Sequence, residues 1–167
     1  MRRGEQFGRC AFGGDAACIV DQPVDQLHVR TGVTTGRLND LCHDYMVNVQ
    51  GTVPAPLNYA PPGYVPYPKS ICTSINHQVC HGIPNERALK NGDIVNIDVT
   101  VIKDGWHGDT SRMFNVGEVG VRAKKLIDVT YEAMMRGISA IRPGGATGDI
   151  GAFDADGFLQ LRGRAGN

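Results

Sequence analysis

The sequence predicts an α+β fold, with two helices separated by an antiparallel stretch of strands. One stretch with helical spacing of apolar residues precedes Gly51, and another follows Gly120. Between them, two alternating runs flank the turn signal Asp104-Gly105. The 167 residues, of which 41% are apolar, suffice for one domain or a large part of one.

The charge balance and the cysteine content limit which partners and which compartment are expected for this protein. Lys plus Arg and Asp plus Glu both number 17, which predicts neither direct nucleic-acid binding nor an anionic membrane partner. No apolar run is long enough to span a membrane, and Arg2 and Arg3 are not followed by the apolar core of a signal peptide. Five cysteines without the regular spacing of a disulfide scaffold suit a reducing compartment, so we expect a cytoplasmic protein.

The first helix is predicted from Thr34 or Thr35 to near Gly51, because both threonines are good N-cap residues. Residues 1–30 show no lasting helical or strand period, and we expect them to form an irregular N-terminal segment. The apolar positions of the helix recur three and four residues apart and comprise Leu38, Leu41, Cys42, Tyr45, Met46 and Val49.

A proline-rich segment follows, and "VPAPLNYAPPGYVPYPKS" holds six of the nine prolines of the chain. Proline cannot donate a backbone hydrogen bond, so this segment is predicted to be an extended loop. Three uses are open for it: a surface connection, a polyproline ligand for SH3 or WW domains, or a pocket rim lined by its tyrosines.

The next segment, "SICTSINHQVCHGIP", predicts two short strands, or one strand and a bend, before a turn at Gly82 and Pro84. Four possible zinc ligands fall within ten residues, and they are Cys72, His77, Cys80 and His81. A structural zinc site needs a second pair of ligands to complete its tetrahedral coordination, and the sequence has none. The interpretation as two small thiols beside a turn is therefore favoured over a structural zinc site.

The turn Asp104-Gly105 predicts a hairpin in which Lys103 faces Trp106 and Thr100 faces Asp109. Because side chains alternate, one face of the hairpin is polar and the other apolar. The polar face carries Asn96, Asp98, Thr100, His107, Asp109 and Ser111, and the apolar face carries Val95, Ile97, Val99, Val101 and Trp106.

Asp98 and Asp109 are diagonal neighbours on the polar face, with backbones about 7–8 Å apart. One explanation is a solvated face with Asp98 pointing at water. The other is a divalent cation, since Asp is disfavoured inside strands and two close carboxylates repel unless they are neutralised. His81 could join them, although a lone histidine near a turn is more often a structural hydrogen-bonder.

The second helix is predicted from Val121 and ends at Arg142-Pro143-Gly144. Its apolar stripe is predicted to lie in the core and comprises Val121, Leu126, Val129, Ala133, Met134, Ile138 and Ile141. Residues 153–167 show no lasting period, so we expect an irregular tail.

Three motifs together resemble type I methionine aminopeptidases: "PKSICTSINHQVCHGIP", "NGDIVNIDVTVIKDGWHGDTSRMF" and "RPGGATGDIG". The resemblance implies the pita-bread fold of the creatinase and aminopeptidase family, mainly its N-terminal half, carried by residues 31–152. The segments 1–30 and 153–167 do not resemble the family, and we expect both ends to arise from disrupted reading frames. The protein is thus expected to be a truncated relative.

The resemblance also implies roles for individual residues. Asp98 matches the bridging metal ligand, and Asp109 matches the second carboxylate ligand. His81 matches the histidine that contacts the substrate and assists at the scissile amide. The methionine side-chain pocket would be shaped by Tyr64, Tyr67 and Cys72.

The function implied is removal of the initiator methionine from nascent peptides, with two divalent ions (Co, Mn, Fe, Zn or Ni) as cofactors and the ribosome as a further partner. The family's other metal ligands are a histidine and two glutamates, whereas His107 and Glu132 are the last histidine and glutamate here. We therefore expect impaired activity. The alternatives are a non-catalytic module that binds ribosomes, and a fragment bound through its proline-rich loop.

Overall fold

The computed structural model describes residues 28–139, 149–153 and 159–164. The chain forms two compact units, which comprise residues 1–120 and 121–167. Most of the segment predicted to be irregular at the N-terminus lies outside the described residues. The last residues of that segment, from 28 onward, are described, and Val29 is buried in the core of the first unit.

Helix α1 spans Thr35–Asp44 and confirms the first predicted helix. The Thr34 side chain accepts a hydrogen bond from the backbone N–H of Arg37, as an N-cap residue should. The last predicted turn differs, because Tyr45–Val49 forms a π-helical turn closed by a bond from Gln50 N to Tyr45 O. The wider turn shifts the helical phase, and Val49 is exposed although it was predicted on the apolar face.

The first unit is built on a four-stranded antiparallel sheet whose central strand is β3. Its strands are β1 (Val53–Pro54), β2 (Cys72–Ile75), β3 (Ile94–Lys103) and β4 (Trp106–Asn115). Strand β4 pairs with β3 along its whole length, while β1 and β2 pair with the other edge of β3.

The predicted hairpin register is confirmed along the β3–β4 ladder. Lys103 faces Trp106, and Thr100 faces Asp109. Both turn residues have positive φ, 52° at Asp104 and 83° at Gly105, which is the conformation of a type I′ turn. The polar and apolar faces of the hairpin therefore follow directly from this turn.

The proline-rich segment is a loop, as predicted, except at its start. Val53–Pro54 forms the short edge strand β1, where the missing N–H of proline can be tolerated. The loop then closes on itself, since Asn58 N donates to Tyr67 O and Tyr67 N donates to Tyr59 O, both at 2.9 Å. This closure brings Tyr67 back to the sheet.

The core of the first unit lies between helix α1 and the apolar face of the sheet. It buries Leu38, Cys42 and Met46 of the helix together with Val95, Ile97, Val99 and Val101 of β3. Burial raises the pKa of the Cys42 thiol to about 12. This cysteine therefore behaves as a small apolar residue.

The second unit contains helix α2 (Val121–Ser139) and a hairpin of β5 (Asp149–Phe153) and β6 (Leu159–Arg164). The prediction that the apolar stripe of α2 lies in the core is wrong for Val121–Ser139, where no side chain is buried. Helical spacing establishes an amphipathic helix, but burial also requires an element packed on the stripe. The described part of the predicted irregular tail likewise differs, because Leu159–Arg164 is a strand.

Among the residues that the structure describes, no helix is both long and apolar enough to cross a membrane.

Candidate functional site

The structure brings Asp98 and Asp109 together on the polar face of the β3–β4 hairpin. Asp98 is half-buried, whereas Asp109 is exposed and accepts a 3.1 Å hydrogen bond from the hydroxyl of Thr100. Burial raises the pKa of Asp98, and the charge of Asp109 and a hydrogen bond between the two side chains raise it further. The nearby His81 lowers it. The two carboxylates therefore lie close together and repel each other when both are ionised.

This pair suits a divalent cation. Two carboxylates supply hard oxygen ligands, and a cation between them would remove the repulsion that raises the pKa of Asp98. In the described ranges, no group of three or more His, Cys, Asp or Glu side chains is placed to hold a metal ion. The described residues therefore offer two carboxylates here, fewer ligands than metal sites normally need.

His81 lies on the turn that follows β2, close enough to Asp98 to favour its ionised form. Its side chain is exposed, and its backbone has a φ of 54°, in the sparsely populated left-handed region. The next residue, Gly82, packs directly on β2, with Thr73 N donating to Gly82 O at 2.8 Å. This hydrogen bond fixes the backbone next to His81 relative to the sheet.

Cys72 and Tyr67 form a wall beside the two carboxylates. Cys72 is buried and faces Asp98 across the β2–β3 ladder. Burial raises the pKa of its thiol, a hydrogen bond with Tyr67 opposes the rise, and the charge of Asp98 adds to it. Burial and the bond with Cys72 raise the pKa of the Tyr67 hydroxyl well above its ordinary value. Both groups thus stay protonated near neutral pH.

Tyr64 does not join this group. Its side chain is 75% exposed, at the outer end of the proline-rich loop. None of the contacts found in the described residues connects it with Cys72 or Asp98. Of the six candidate residues, the structure brings together Tyr67, Cys72, His81, Asp98 and Asp109.

Helix α1 holds the start of β2, a contact that the sequence did not predict. Asn39 Oδ1 accepts from Ser70 N at 2.8 Å, and the ring of His43 bonds the Ser70 hydroxyl at 2.7 Å. Both partners lie some thirty residues away in sequence, so no local pattern indicates them. The predicted hairpin register already placed Thr100 opposite Asp109, but the hydrogen bond between their side chains was not predicted.

Comparison with known proteins identifies the family. Residues 14–157 match the model of metallopeptidase family M24. The chain belongs to this family. The match is wider on both sides than residues 31–152, the range predicted from the motifs. Membership in a metallopeptidase family implies the use of a divalent metal, which fits the paired carboxylates.

Named relatives of this M24 chain are methionine aminopeptidases. It is 63% identical over 141 residues to that of Rickettsia prowazekii, covering 84% of this chain and 51% of the relative. It is 47% identical over 164 residues to the methionine aminopeptidase of Escherichia coli strain K12, covering 95% of this chain and 60% of the relative. The chain thus spans about half the length of the curated relatives it matches.

Solved structures agree on the fold. The crystal structure of the R. prowazekii methionine aminopeptidase has a TM-score of 0.72 at 59% identity, covering 81% of this chain and 51% of that one. The Thermotoga maritima enzyme has a TM-score of 0.71 at 31% identity, with the same coverage. A Bacillus anthracis Xaa-Pro dipeptidase, 20% identical, shares the fold alone, with a TM-score of 0.61. The predicted α+β pita-bread fold is confirmed, for about half of its extent.

Proposed function

We propose that this chain carries part of the catalytic site of a metal-dependent methionyl aminopeptidase, which removes the initiator methionine from nascent peptides. The observation that carries the proposal is the convergence of Asp98, Asp109 and His81 in a chain so similar to methionine aminopeptidases.

Asp98 and Asp109 are the proposed metal ligands, for two divalent ions drawn from Co, Mn, Fe, Zn and Ni. A bound divalent ion supplies Lewis acidity and lowers the pKa of its water. Half-burial of Asp98 strengthens its attraction for a cation, and the Thr100 hydroxyl orients the carboxylate of Asp109.

His81 is the proposed catalytic side chain of this half of the site. It is exposed beside the carboxylates, where an imidazole N–H can donate a hydrogen bond to the oxygen of the scissile amide. That bond strengthens as negative charge develops on the oxygen in the transition state.

The proposed methionine pocket uses the wall formed by Tyr67 and Cys72. A tyrosine ring and a neutral thiol suit a thioether side chain, because sulfur makes favourable contacts with aromatic edges. The protonated state of both groups keeps a negative charge out of the wall. Tyr64 would join it only after a movement of the exposed loop.

Activity of this chain alone is proposed to be impaired, because the described residues supply two protein ligands. Turnover of a Met-Ala-Ser peptide by the purified chain with added Co²⁺ or Mn²⁺ measures this directly. A rate of about one per second or more, typical of enzymes, would show that the chain is not impaired.

Calorimetric titration of the metal-free chain with Mn²⁺ tests the proposed ligands. Asp98→Asn and Asp109→Asn should each weaken binding by about tenfold or more, since even outer-shell substitutions cost 10–100-fold. Asp128→Asn, an exposed carboxylate on α2, is the matched control and should bind like the unaltered chain. Equal affinities in all four proteins would refute the assignment.

A further inference from the structure

The turn that carries His81 is held by three hydrogen bonds to its neighbour Gly82. Thr73 N donates to Gly82 O at 2.8 Å, and Gly82 N donates to the Ser74 hydroxyl at 3.2 Å. The Tyr67 hydroxyl donates to the same Gly82 oxygen at 3.1 Å. Both polar groups of the Gly82 backbone are therefore fixed, and two of the three partners are side-chain hydroxyls.

The backbone of Gly82 lies close against β2. A Cβ built there would overlap the backbone oxygen of Thr73, so only a glycine comes this close to β2. The preceding residue, His81, has a φ of 54°, and a side chain in that conformation persists only where its surroundings fix the backbone. The contacts at Gly82 supply that restraint.

Tyr67 reaches this turn from the proline-rich loop. Its hydroxyl lies 3.2 Å from Ile71 O and 3.1 Å from Gly82 O, so it bridges the start of β2 and the turn. Both neighbours are carbonyl oxygens, so the single hydroxyl proton of Tyr67 is shared between these two acceptors. A pocket wall would need only the ring of this tyrosine, and the hydroxyl contacts point to a second role.

We propose that Tyr67 and Ser74 are positioning residues for His81: through Gly82 their hydroxyls set the direction in which the imidazole is presented to Asp98. The value of this arrangement for catalysis rests on the proposed function, whereas the arrangement itself does not. It makes the loop end at Tyr67 part of the catalytic machinery rather than of the substrate pocket alone.

The first test uses the imidazole signals of the five histidines, recorded by NMR on the metal-free full chain. Tyr67→Phe keeps the ring and removes the hydroxyl, and Ser74→Ala removes the other contact. Each should shift the His81 signal while His43, His77 and His107 stay in place. Tyr59→Phe is the matched control from the same loop, because that side chain is 65% exposed, and it should leave His81 unchanged.

Two results would overturn the proposal. The His81 signal could remain unchanged in both variants, which would show that the hydroxyls do not position it. All five histidine signals could shift alike, which would show a general structural role instead of a local one.

Kinetics on the metal-loaded chain give a second readout. Losing one positioning hydrogen bond should lower kcat for Met-Ala-Ser about three- to tenfold and leave KM unchanged. A higher KM with unchanged kcat would instead assign Tyr67 to the pocket wall and overturn its positioning role. In a His81→Ala background, Tyr67→Phe should cause no further loss, because nothing remains to be positioned.

The two proposals fail in different ways. If the His81 signal shifts as expected but Asp98→Asn and Asp109→Asn bind Mn²⁺ as tightly as the unaltered chain, the positioning is supported and the proposed metal site is refuted. If these two variants bind Mn²⁺ more weakly but the His81 signal does not shift in Tyr67→Phe or Ser74→Ala, the proposed metal site is supported and the positioning is refuted.

Discussion

Asp93 shows how one buried carboxylate of the first unit is kept ionised. Its two oxygens accept hydrogen bonds from Asn76 Nδ2 at 2.7 Å and from Lys90 N at 2.9 Å. The guanidinium of Arg87 lies 3.8 Å away. Burial opposes ionisation, but these donors and charges outweigh it and hold the pKa of Asp93 below its ordinary value.

The first prediction concerns the pH dependence that follows. Since the pKa of Asp93 is lower in the folded state, its contribution to stability is present above about pH 4 and is lost as the pH falls through the folded value. Asp93→Asn should therefore cost about 1–3 kcal/mol at pH 7 and progressively less below pH 4. Urea unfolding between pH 2 and 7 measures this, with Asp104→Asn as control. A cost independent of pH would contradict it.

The second prediction concerns Gly82, where a methyl group would overlap the backbone of Thr73. Gly82→Ala must displace either β2 or the turn, and we expect a loss of about 1–3 kcal/mol in the free energy of unfolding. Gly137→Ala, in an exposed helix with free space around it, should instead stabilise by about 0.5–1 kcal/mol. If both substitutions changed the free energy of unfolding equally, Gly82 would not lie this close to Thr73 in solution.

Among the elements, the β3–β4 hairpin was the most predictable. Its register depends on a two-residue turn and on alternation within the strands, and both are local properties of the sequence. The convergence of Asp98 and Asp109 was predictable for the same reason. The pairing of Cys72 with Asp98 and the contacts of Ser70 with α1 are not local, so a single sequence does not indicate them.

The elements that were missed depend on context more than on propensity. The strand β1 contains only Val53–Pro54 and exists because the edge of β3 beside Val101 is open to it. The π-helical turn at Tyr45–Val49 continues the apolar pattern of α1 while changing its phase. A two-residue strand is too short to show a period, and the change from an α-helix to a π-helical turn has no periodic signal of its own in the sequence.

The third prediction tests the hairpin turn. Gly105 has a φ of 83°, which a residue with a Cβ adopts only with strain, so Gly105→Ala should cost about 1–2 kcal/mol. Asp104→Asn is the matched control, because Asn-Gly is the preferred pair for a type I′ turn, and it should be neutral or slightly stabilising. Equilibrium unfolding followed by the fluorescence of Trp106 measures both. A stabilising Gly105→Ala would show that the turn has another conformation.

At the scale of the whole molecule, buried apolar residues are unevenly distributed over the described parts of the two units. Helix α1 and the sheet bury a continuous cluster in the first unit, while helix α2 buries no side chain. Both helices have an apolar stripe, so the pattern in the sequence could not distinguish them. What differs is whether an element packs on the stripe, and that is a property of the assembled fold.

The last prediction uses this difference. Leu38 is 0% exposed, so Leu38→Ala removes buried methyl groups, leaves a cavity, and should cost about 2–5 kcal/mol. Leu126 is 61% exposed in a helix where alanine is also favourable, so Leu126→Ala should change stability by less than about 0.5 kcal/mol. Urea unfolding followed by circular dichroism compares the two variants. Should Leu126→Ala cost as much as Leu38→Ala, the stripe of α2 must be covered in solution, and the core predicted from its spacing would exist after all.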